Sequence, residues 1–490
     1  MNTKSTGADI GLIGLAVMGQ NLILNMNDHG FDVIAHNRTT SKINDFLNGP
    51  AKGTGVKGAN TLEELVAGLS TPRKIMLMVR AGEIVDQWIS KLIPLLDQGD
   101  IIIDGGNSNF VDTSRRVTQL SSQGLHFIGT GVSGGEEGAR TGPSIMPGGD
   151  EKAWSAIMPI FNAISAKTKS GEDCCDWVGR GGSGHFVKMV HNGIEYGDMQ
   201  LISESYHFMQ QGLAMTHAEM KVVFENWNTT ELDSYLIEIS AEILGVKDSD
   251  GSPLLEKILD SAGQKGTGKW TGINALELGI PLTLISESVF ARCLSSLKQE
   301  RLEAEKSFNK TISHIPTGDT EQTEWIDHLR QALLASKIIS YAQGFMLMRQ
   351  ASDEHDWSLN YGNVAMMWRG GCIIRSAFLG NIHDAFASDS DLTFLGLDPY
   401  FKNLLQQCMP SWRKVCARSI EIGLPMPCMT SALTFMDGYT CGQLPANMIQ
   451  AQRDYFGAHT YERTDRNRGE FFHTNWTGKG GDTAAGRYDG

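Results

Sequence analysis

A chain of 490 residues, 41% hydrophobic and 20% charged, has the composition of a soluble globular protein with room for about three domains and a large core. Its net charge of −14 excludes nucleic acid and anionic membrane as main partners, because the overall field repels both, and any anionic substrate must meet local positive charge. Eight scattered cysteines without a Cys-x-x-Cys pair, a polar stretch from Met1 to Asp9 with no apolar signal core, and no run near the roughly 20 apolar residues of a membrane span point to a cytoplasmic protein without a zinc site.

Short apolar runs at Ile10 to Leu15, Phe31 to His36, Lys74 to Val79, Ile101 to Asp104 and His126 to Gly129 are separated by helix-length segments, the alternation of a parallel, doubly wound Rossmann-like sheet. After the first run, Gly14, Leu15, Ala16, Val17, Met18 and Gly19 form a Gly-x-Ala-x-x-Gly turn that opens a helix and suits a phosphate at the helix N-terminus. The second run ends in Asn37, Arg38 and Thr39, where an acidic residue would bind the 2'-hydroxyl of NAD. Arg38 offers a guanidinium fork to a 2'-phosphate instead, with Asn37 and Thr39 as donors, so the expected cofactor is NADP. The third and fourth runs bring Val79, Arg80 and Ala81, then Asn107, to the same carboxyl edge, where Asn107 is placed to bridge cofactor and substrate. Past the fifth, Ser133, Gly134 and Gly135 supply a hydroxyl and unhindered backbone N–H groups, a nest for a carboxylate.

Lys188, His191, Asn192, Glu195 and Tyr196 then fall at i, i+3, i+4, i+7 and i+8, one stripe of a helix. That spacing ordinarily carries the apolar face, yet here it carries a base, an acid and three hydrogen-bonding groups. Phe186, Val187, Met189, Val190 and Ile194 turn the other way as an anchor, so a buried helix here presents a reactive face. Helical patterns continue at Ile194 to Gln211, Glu231 to Ile243, Pro281 to Phe308 and Trp325 to Arg349, with a hint of a repeat between Tyr206 to Trp227 and Tyr341 to Trp368. The loop Lys265-Gly-Thr267-Gly-Lys-Trp270 is cationic and glycine-rich without the full Walker pattern, a grip for a sugar phosphate rather than ATP. Arg292, Arg453 and His459 add basic groups that read singly as surface residues. The expected layout is a Rossmann-like domain over 1–180, an all-α domain over 181–440 and a C-terminal tail over 441–490.

Taken together, the segments Gly14 to Gly19, Asn37 to Thr39, Asp104 to Asn107, Ser133 to Gly149, Lys188 to Tyr196, Ile258 to Trp270 and Gln450 to Thr460 resemble the 6-phosphogluconate dehydrogenase family, within the β-hydroxyacid dehydrogenases, over nearly the whole chain. The resemblance implies metal-free oxidative decarboxylation of 6-phosphogluconate to ribulose 5-phosphate, with NADP reduced, in the pentose phosphate pathway of gluconate utilization. Lys188 would take the C3 hydroxyl proton, which requires a lysine pKa pulled down, and Glu195 would protonate C1 of the enediol. By the same resemblance Asn107, His191 and Asn192 position substrate hydroxyls, and Ser133, Gly134 and Gly135 the carboxylate. Tyr196, Lys265, Thr267, Arg292, Arg453 and His459 hold the phosphate, the last two completing the site of the partner in a homodimer. Family members commonly have lysine where this chain has Arg80, which keeps charge but alters shape. A reductase of another β-hydroxyacid and a catalytically silent NADP-binding scaffold are the competing expectations.

Overall fold

The computed structural model describes residues 7–264, 266–316 and 318–479. Residues 1–432 form one compact unit and residues 433–490 another.

In the first unit, strands Ile10–Ile13 (β1), Val33–His36 (β2), Lys57–Gly58 (β3), Lys74–Leu77 (β4), Ile101–Asp104 (β5), His126–Val132 (β6), Ile145–Gly149 (β7) and Gly179–Arg180 (β8) make one sheet in the order β3-β2-β1-β4-β5-β6-β7-β8. β1, β2 and β5 are buried along their whole length, which is why they read as unbroken apolar runs rather than alternations. One apolar cluster lies under the Val17–Asp28 and Trp154–Ile164 helices, the other under the Leu62–Ala67 and Glu83–Leu92 helices. β2 and β4 flank β1, so the strand order reverses at β1 and opens a crevice at its carboxyl end. The expected parallel pairing holds from β1 to β6. It fails at β7, which runs antiparallel to β6, before β8 returns parallel to β7. Ile-Met-Pro-Gly-Gly carries the residues of a turn, yet Pro147, with no N–H to give, still accepts the Val178 N–H at 2.8 Å.

From Ser183 the chain is helical almost throughout. Helix Ser183–His207, 25 residues long, packs on β6 and β7 and against helices Thr267–Glu277, Thr283–Ser296 and Asp319–His355. The last of these has 37 residues and is buried on every side through its middle, as a helix at the centre of a large helical body must be. The Pro281 to Phe308 segment is two helices, parted at Leu297. The two stretches of the suggested repeat start at different places in their helices: Tyr206 ends one helix, whereas Tyr341 sits in the middle of another. Among the described residues, no helix is long and apolar enough to cross a membrane.

The second unit has helix Ala446–Gly457 and a two-stranded antiparallel ribbon of Tyr461–Glu462 (β9) and Phe471–Phe472 (β10). Of its described residues, only Phe435 and Asp454 are buried.

Candidate active site

Behind β1 the backbone turns at Gly14, whose φ of +115° a side chain would oppose and whose Cβ would meet the Met78 carbonyl oxygen at 2.3 Å. Helix Val17–Asp28 therefore starts hard against the sheet, and its N-terminus has neither a side-chain cap nor an acidic residue in the first turn. Such an end accumulates free N–H groups and partial positive charge, the requirements of a bound pyrophosphate. The Asn37 side chain is committed within the protein: its Oδ1 accepts from the Leu15 N–H at 3.2 Å and its amide donates to the Thr39 carbonyl at 3.1 Å. It braces the Gly14 to Gly19 turn and leaves Arg38 and Thr39 exposed. Exposed Arg80 and half-buried Val79 and Ala81 leave β4 at the same edge. This lining fits a dinucleotide bearing a 2'-phosphate.

Asn107 stands exposed in a loop whose base is held by Asp104, which accepts from the Gly106 N–H at 3.0 Å and the Ser108 hydroxyl at 2.6 Å. Fully buried Arg116 backs Asp104 at 3.4 Å and grips Asp86 through two nitrogens at 2.8 and 2.9 Å. In the sequence Asp104 marks only the end of a strand and the start of the Asp104 to Asn107 segment, and Arg116 does not stand out at all.

Four residues of the polar stripe of helix Ser183–His207, Lys188, His191, Asn192 and Tyr196, are buried as expected, and Glu195 is half-buried. Lys188 is 7% exposed because its stem lies on β6 at Gly131, where a Cβ would come within 2.3 Å of the Lys188 Cβ. Its Nζ is 3.4 Å from His191 Nδ1, and the same Nδ1 is 3.0 Å from Asn192 Oδ1 and 3.9 Å from a Glu195 oxygen. The Ser133 hydroxyl is 3.2 Å from His191 Nε2. With Asn192 Oδ1 as the acceptor, Nδ1 carries the proton and Nε2 accepts from Ser133. Lys188 then faces an N–H, which a neutral amine can accept and an ammonium cannot. Burial pushes the Lys188 pKa down, opposed by the nearby Glu195 carboxylate and Cys372 thiol. Burial raises Glu195, against the pull of Lys188 and Arg292 and with Asp198 adding to the rise. His191 is held well below the usual histidine value by burial and by Lys188. Base and acid are thus both driven toward their neutral forms on one helix face.

At the far end of the stripe, the Arg292 guanidinium lies 3.5 Å over the Tyr196 ring and donates to the Gly263 carbonyl at 3.1 Å. Thr267 opens helix Thr267–Glu277, whose first turn has no acidic residue and no side-chain cap. The Thr271 hydroxyl ties this helix to the Met189 carbonyl at 2.9 Å, so a helix N-terminus, a hydroxyl and a guanidinium share the Tyr196 end of the stripe. Lys265 lies outside the described residues. At the other end, the Ser133 N–H donates to the Ser144 carbonyl at 2.9 Å, and Gly134 and Gly135, with φ of +101° and +63°, open helix Gly135–Thr141.

Three neighbours escaped the sequence reading. Cys372 lies near Lys188, its thiol pushed up to about 12 by burial, and donates to the Trp368 carbonyl at 3.0 Å. Asp198, one turn past Glu195, pairs with Lys337 at 2.5 Å, and both are buried. Arg453 and His459 belong to the second unit, where Arg453 Nη1 donates to Gln450 Oε1 at 3.0 Å.

Two family models match the chain, one described as the NAD binding domain of 6-phosphogluconate dehydrogenase over residues 9–179, the other as the 6-phosphogluconate dehydrogenase C-terminal domain over residues 184–476. A Haemophilus influenzae protein named 6-phosphogluconate dehydrogenase, decarboxylating, is 66% identical over 485 residues, which span 99% of this chain and 100% of that one. The human protein of the same name is 61% identical over 482 residues, 98% of this chain and 99% of its own. The Plasmodium falciparum 6-phosphogluconate dehydrogenase, solved in its apo form, with NADP+ and with 6-phosphogluconate, superposes with a TM-score of 0.92 at 44% identity over 96% of this chain and 100% of that chain.

Proposed function

The chain belongs to the 6-phosphogluconate dehydrogenase family, and from that membership we propose that it oxidatively decarboxylates 6-phosphogluconate to ribulose 5-phosphate and carbon dioxide with NADP, using Lys188 and Glu195 as its proton-transfer groups. The observation that carries the residue assignment is the buried stripe: Lys188 and Glu195 sit either side of His191 on one helix face, each pushed by burial toward its uncharged form.

NADP, when bound, supplies the hydride acceptor. Neutral Lys188 takes the C3 hydroxyl proton as the C3–H bond is lost, giving a β-keto acid. Protonated Lys188 then donates to the C3 carbonyl oxygen, which receives the electron pair of the breaking carbon–carboxylate bond. Glu195, kept protonated by its surroundings, delivers a proton to C1 of the enediol. Asn107, His191 and Asn192 orient hydroxyls, while Ser133, Gly134 and Gly135 hold the carboxylate. Tyr196, Lys265, Thr267 and Arg292 take the phosphate with Arg453 and His459. For the nucleotide, Gly14 to Gly19 receive the pyrophosphate, Asn37, Arg38 and Thr39 the 2'-phosphate side, and Val79, Arg80 and Ala81 the opposite wall.

The working form is a homodimer in which Arg453 and His459 complete the partner's site. Exposed apolar surface in both units supports this. In the first unit a cleft of about 1110 Å³ is lined by Ile258, Leu259, Phe290, Leu294 and Ile420, with Phe290 65% and Ile420 70% exposed. In the second, Met448, Ile449, Tyr455 and Phe456 lie on the outside. Eight free thiols suit a reducing cytoplasm. Residues 1–180 serve the cofactor, 181–440 the substrate and dimer contacts, and 441–490 the partner.

Purified protein given 6-phosphogluconate and either NADP or NAD, with no added metal, tests the reading through reduced nicotinamide and released carbon dioxide. Equal amounts of both products, with NADP preferred and turnover lost in Lys188→Ala, are expected. Reduced cofactor without carbon dioxide would mean a non-decarboxylating relative, and NADP binding without turnover a silent scaffold.

A further inference from the structure

The second unit is built inside out, with aromatic side chains on its surface and a carboxylate at its centre. Asp454 Oδ1 accepts from the Thr460 N–H at 3.0 Å and from His473 Nδ1 at 2.9 Å. Its Oδ2 accepts from the Thr474 N–H at 3.0 Å and from Trp476 Nε1 at 2.8 Å. The donors come from the loop after helix Ala446–Gly457 and from the strand end beyond Phe472, so one side chain gathers the unit.

What it gathers is the segment around His459. Ala458 and Thr460 each have a φ of +50°, a left-handed conformation that residues with a Cβ avoid and hold only where the surroundings impose it. Both are tied to Asp454. The Ala458 N–H donates to its backbone carbonyl at 2.9 Å and the Thr460 N–H to its carboxylate at 3.0 Å. The His459 ring lies on Gly457, where a Cβ would meet its Nε2 at 2.5 Å, and edge-on to Phe456 at 6.0 Å between centroids. Gln450 donates to the His459 and Thr460 carbonyls while accepting from Arg453, so it links the two basic residues.

We propose that Asp454 is the positioning residue of the Arg453 and His459 pair, fixing the strained turn that aims His459 alongside Arg453 at the substrate phosphate. The inference rests on the phosphate role given to that pair above. Asp454 itself touches no substrate.

The test is steady-state kinetics of Asp454→Asn in the full-length protein, with 6-phosphogluconate and with gluconate, which lacks the phosphate. An amide turns one of the two acceptor oxygens into a donor facing N–H groups. The KM for 6-phosphogluconate should rise roughly tenfold or more, with kcat and the KM for NADP within about twofold and kcat/KM on gluconate unchanged. An equal fall on both substrates would mean a merely structural role and overturn the proposal. Arg453→Gln and His459→Asn run alongside: if neither raises the KM for 6-phosphogluconate, the phosphate reading itself fails. If they raise it and folded, dimeric Asp454→Asn does not, positioning by Asp454 is refuted. Should Asp454→Asn not fold, Trp476→Phe removes one donor and should raise the same KM by roughly threefold, and an unchanged KM there would likewise refute it.

Discussion

The two units of this chain bury ionisable groups to opposite ends. In residues 1–432, apolar packing does the positioning and helix Ser183–His207 is pressed into the core with Lys188 and Glu195 on it, short of partners. In residues 433–479, every described apolar side chain but Phe435 is at least partly exposed, and the buried carboxylate does the positioning. The number of donors decides the result. Burial moves Lys188 down and Glu195 up, because too few groups meet them to offset the lost water. Burial also pushes Asp454 up, but the donors from Thr474, His473 and Trp476 outweigh it and leave Asp454 below the usual carboxylate value. A starved charge becomes reactive, and a saturated one becomes structural.

Lys188→Met is the sharpest test of that contrast. It should reduce kcat by roughly 10²–10⁴-fold while raising the melting temperature near neutral pH, because an apolar side chain replaces an amine the core holds unwillingly. The sign follows from proton counts. Between the lowered native pKa of Lys188 and the value of 10.5 for the free side chain, the unfolded chain holds a proton the native one lacks, so this lysine's contribution to stability rises with pH across that window. Glu195 is the mirror case. From 4.5 up to its raised native value the native state keeps a proton the unfolded chain has released, and stability falls as pH rises. Glu195→Gln should reduce a two-limbed pH profile of kcat/KM to one limb. A lower melting temperature for Lys188→Met would break the comparison.

Next in size is Lys337→Met, which strands buried Asp198 without its partner and should cost about 3–5 kcal/mol in urea unfolding. Adding Asp198→Asn should recover part of that loss, and failure to do so would show that the pair is not coupled. Arg38→Ala removes an exposed cation from the first unit, so it should leave stability alone and raise the KM for NADP roughly 10- to 100-fold with little change for NAD. Arg80→Lys, which keeps charge at an exposed position, should shift the same KM by less than about threefold.

Much of this was legible in one dimension because it repeats at short range. The nucleotide edge is written in strand-turn-helix order, and the reactive face in five polar residues at helical spacing, with apolar ones between them. What escaped depends on contacts across the chain. Asp198 and Lys337 are 139 residues apart, and nothing local marks either as half of a buried pair. Cys372 meets Lys188 only through the packing of the helical body. β7 hid behind Pro147 and two glycines, turn residues that here lie in a strand. Nothing local shows that Asn37, read as a cofactor donor, also braces the first turn by accepting from the Leu15 N–H.

The two family models meet between residues 179 and 184, an interval that invites a cut. In the molecule it is a close contact. A Cβ on Gly184 would lie 2.5 Å from the carbonyl oxygens of both Gly129 and Met146, and the next residue, His185, bonds Thr113 at 2.7 Å. For anyone building chimeras to exchange cofactor preference, a crossover in this interval joins a sheet surface from one parent to a helix shaped for another. The parents must therefore agree at Gly129, Gly131, Met146 and Gly148, whatever the rest of their sequences, and single-residue exchange around Arg38 is the safer route.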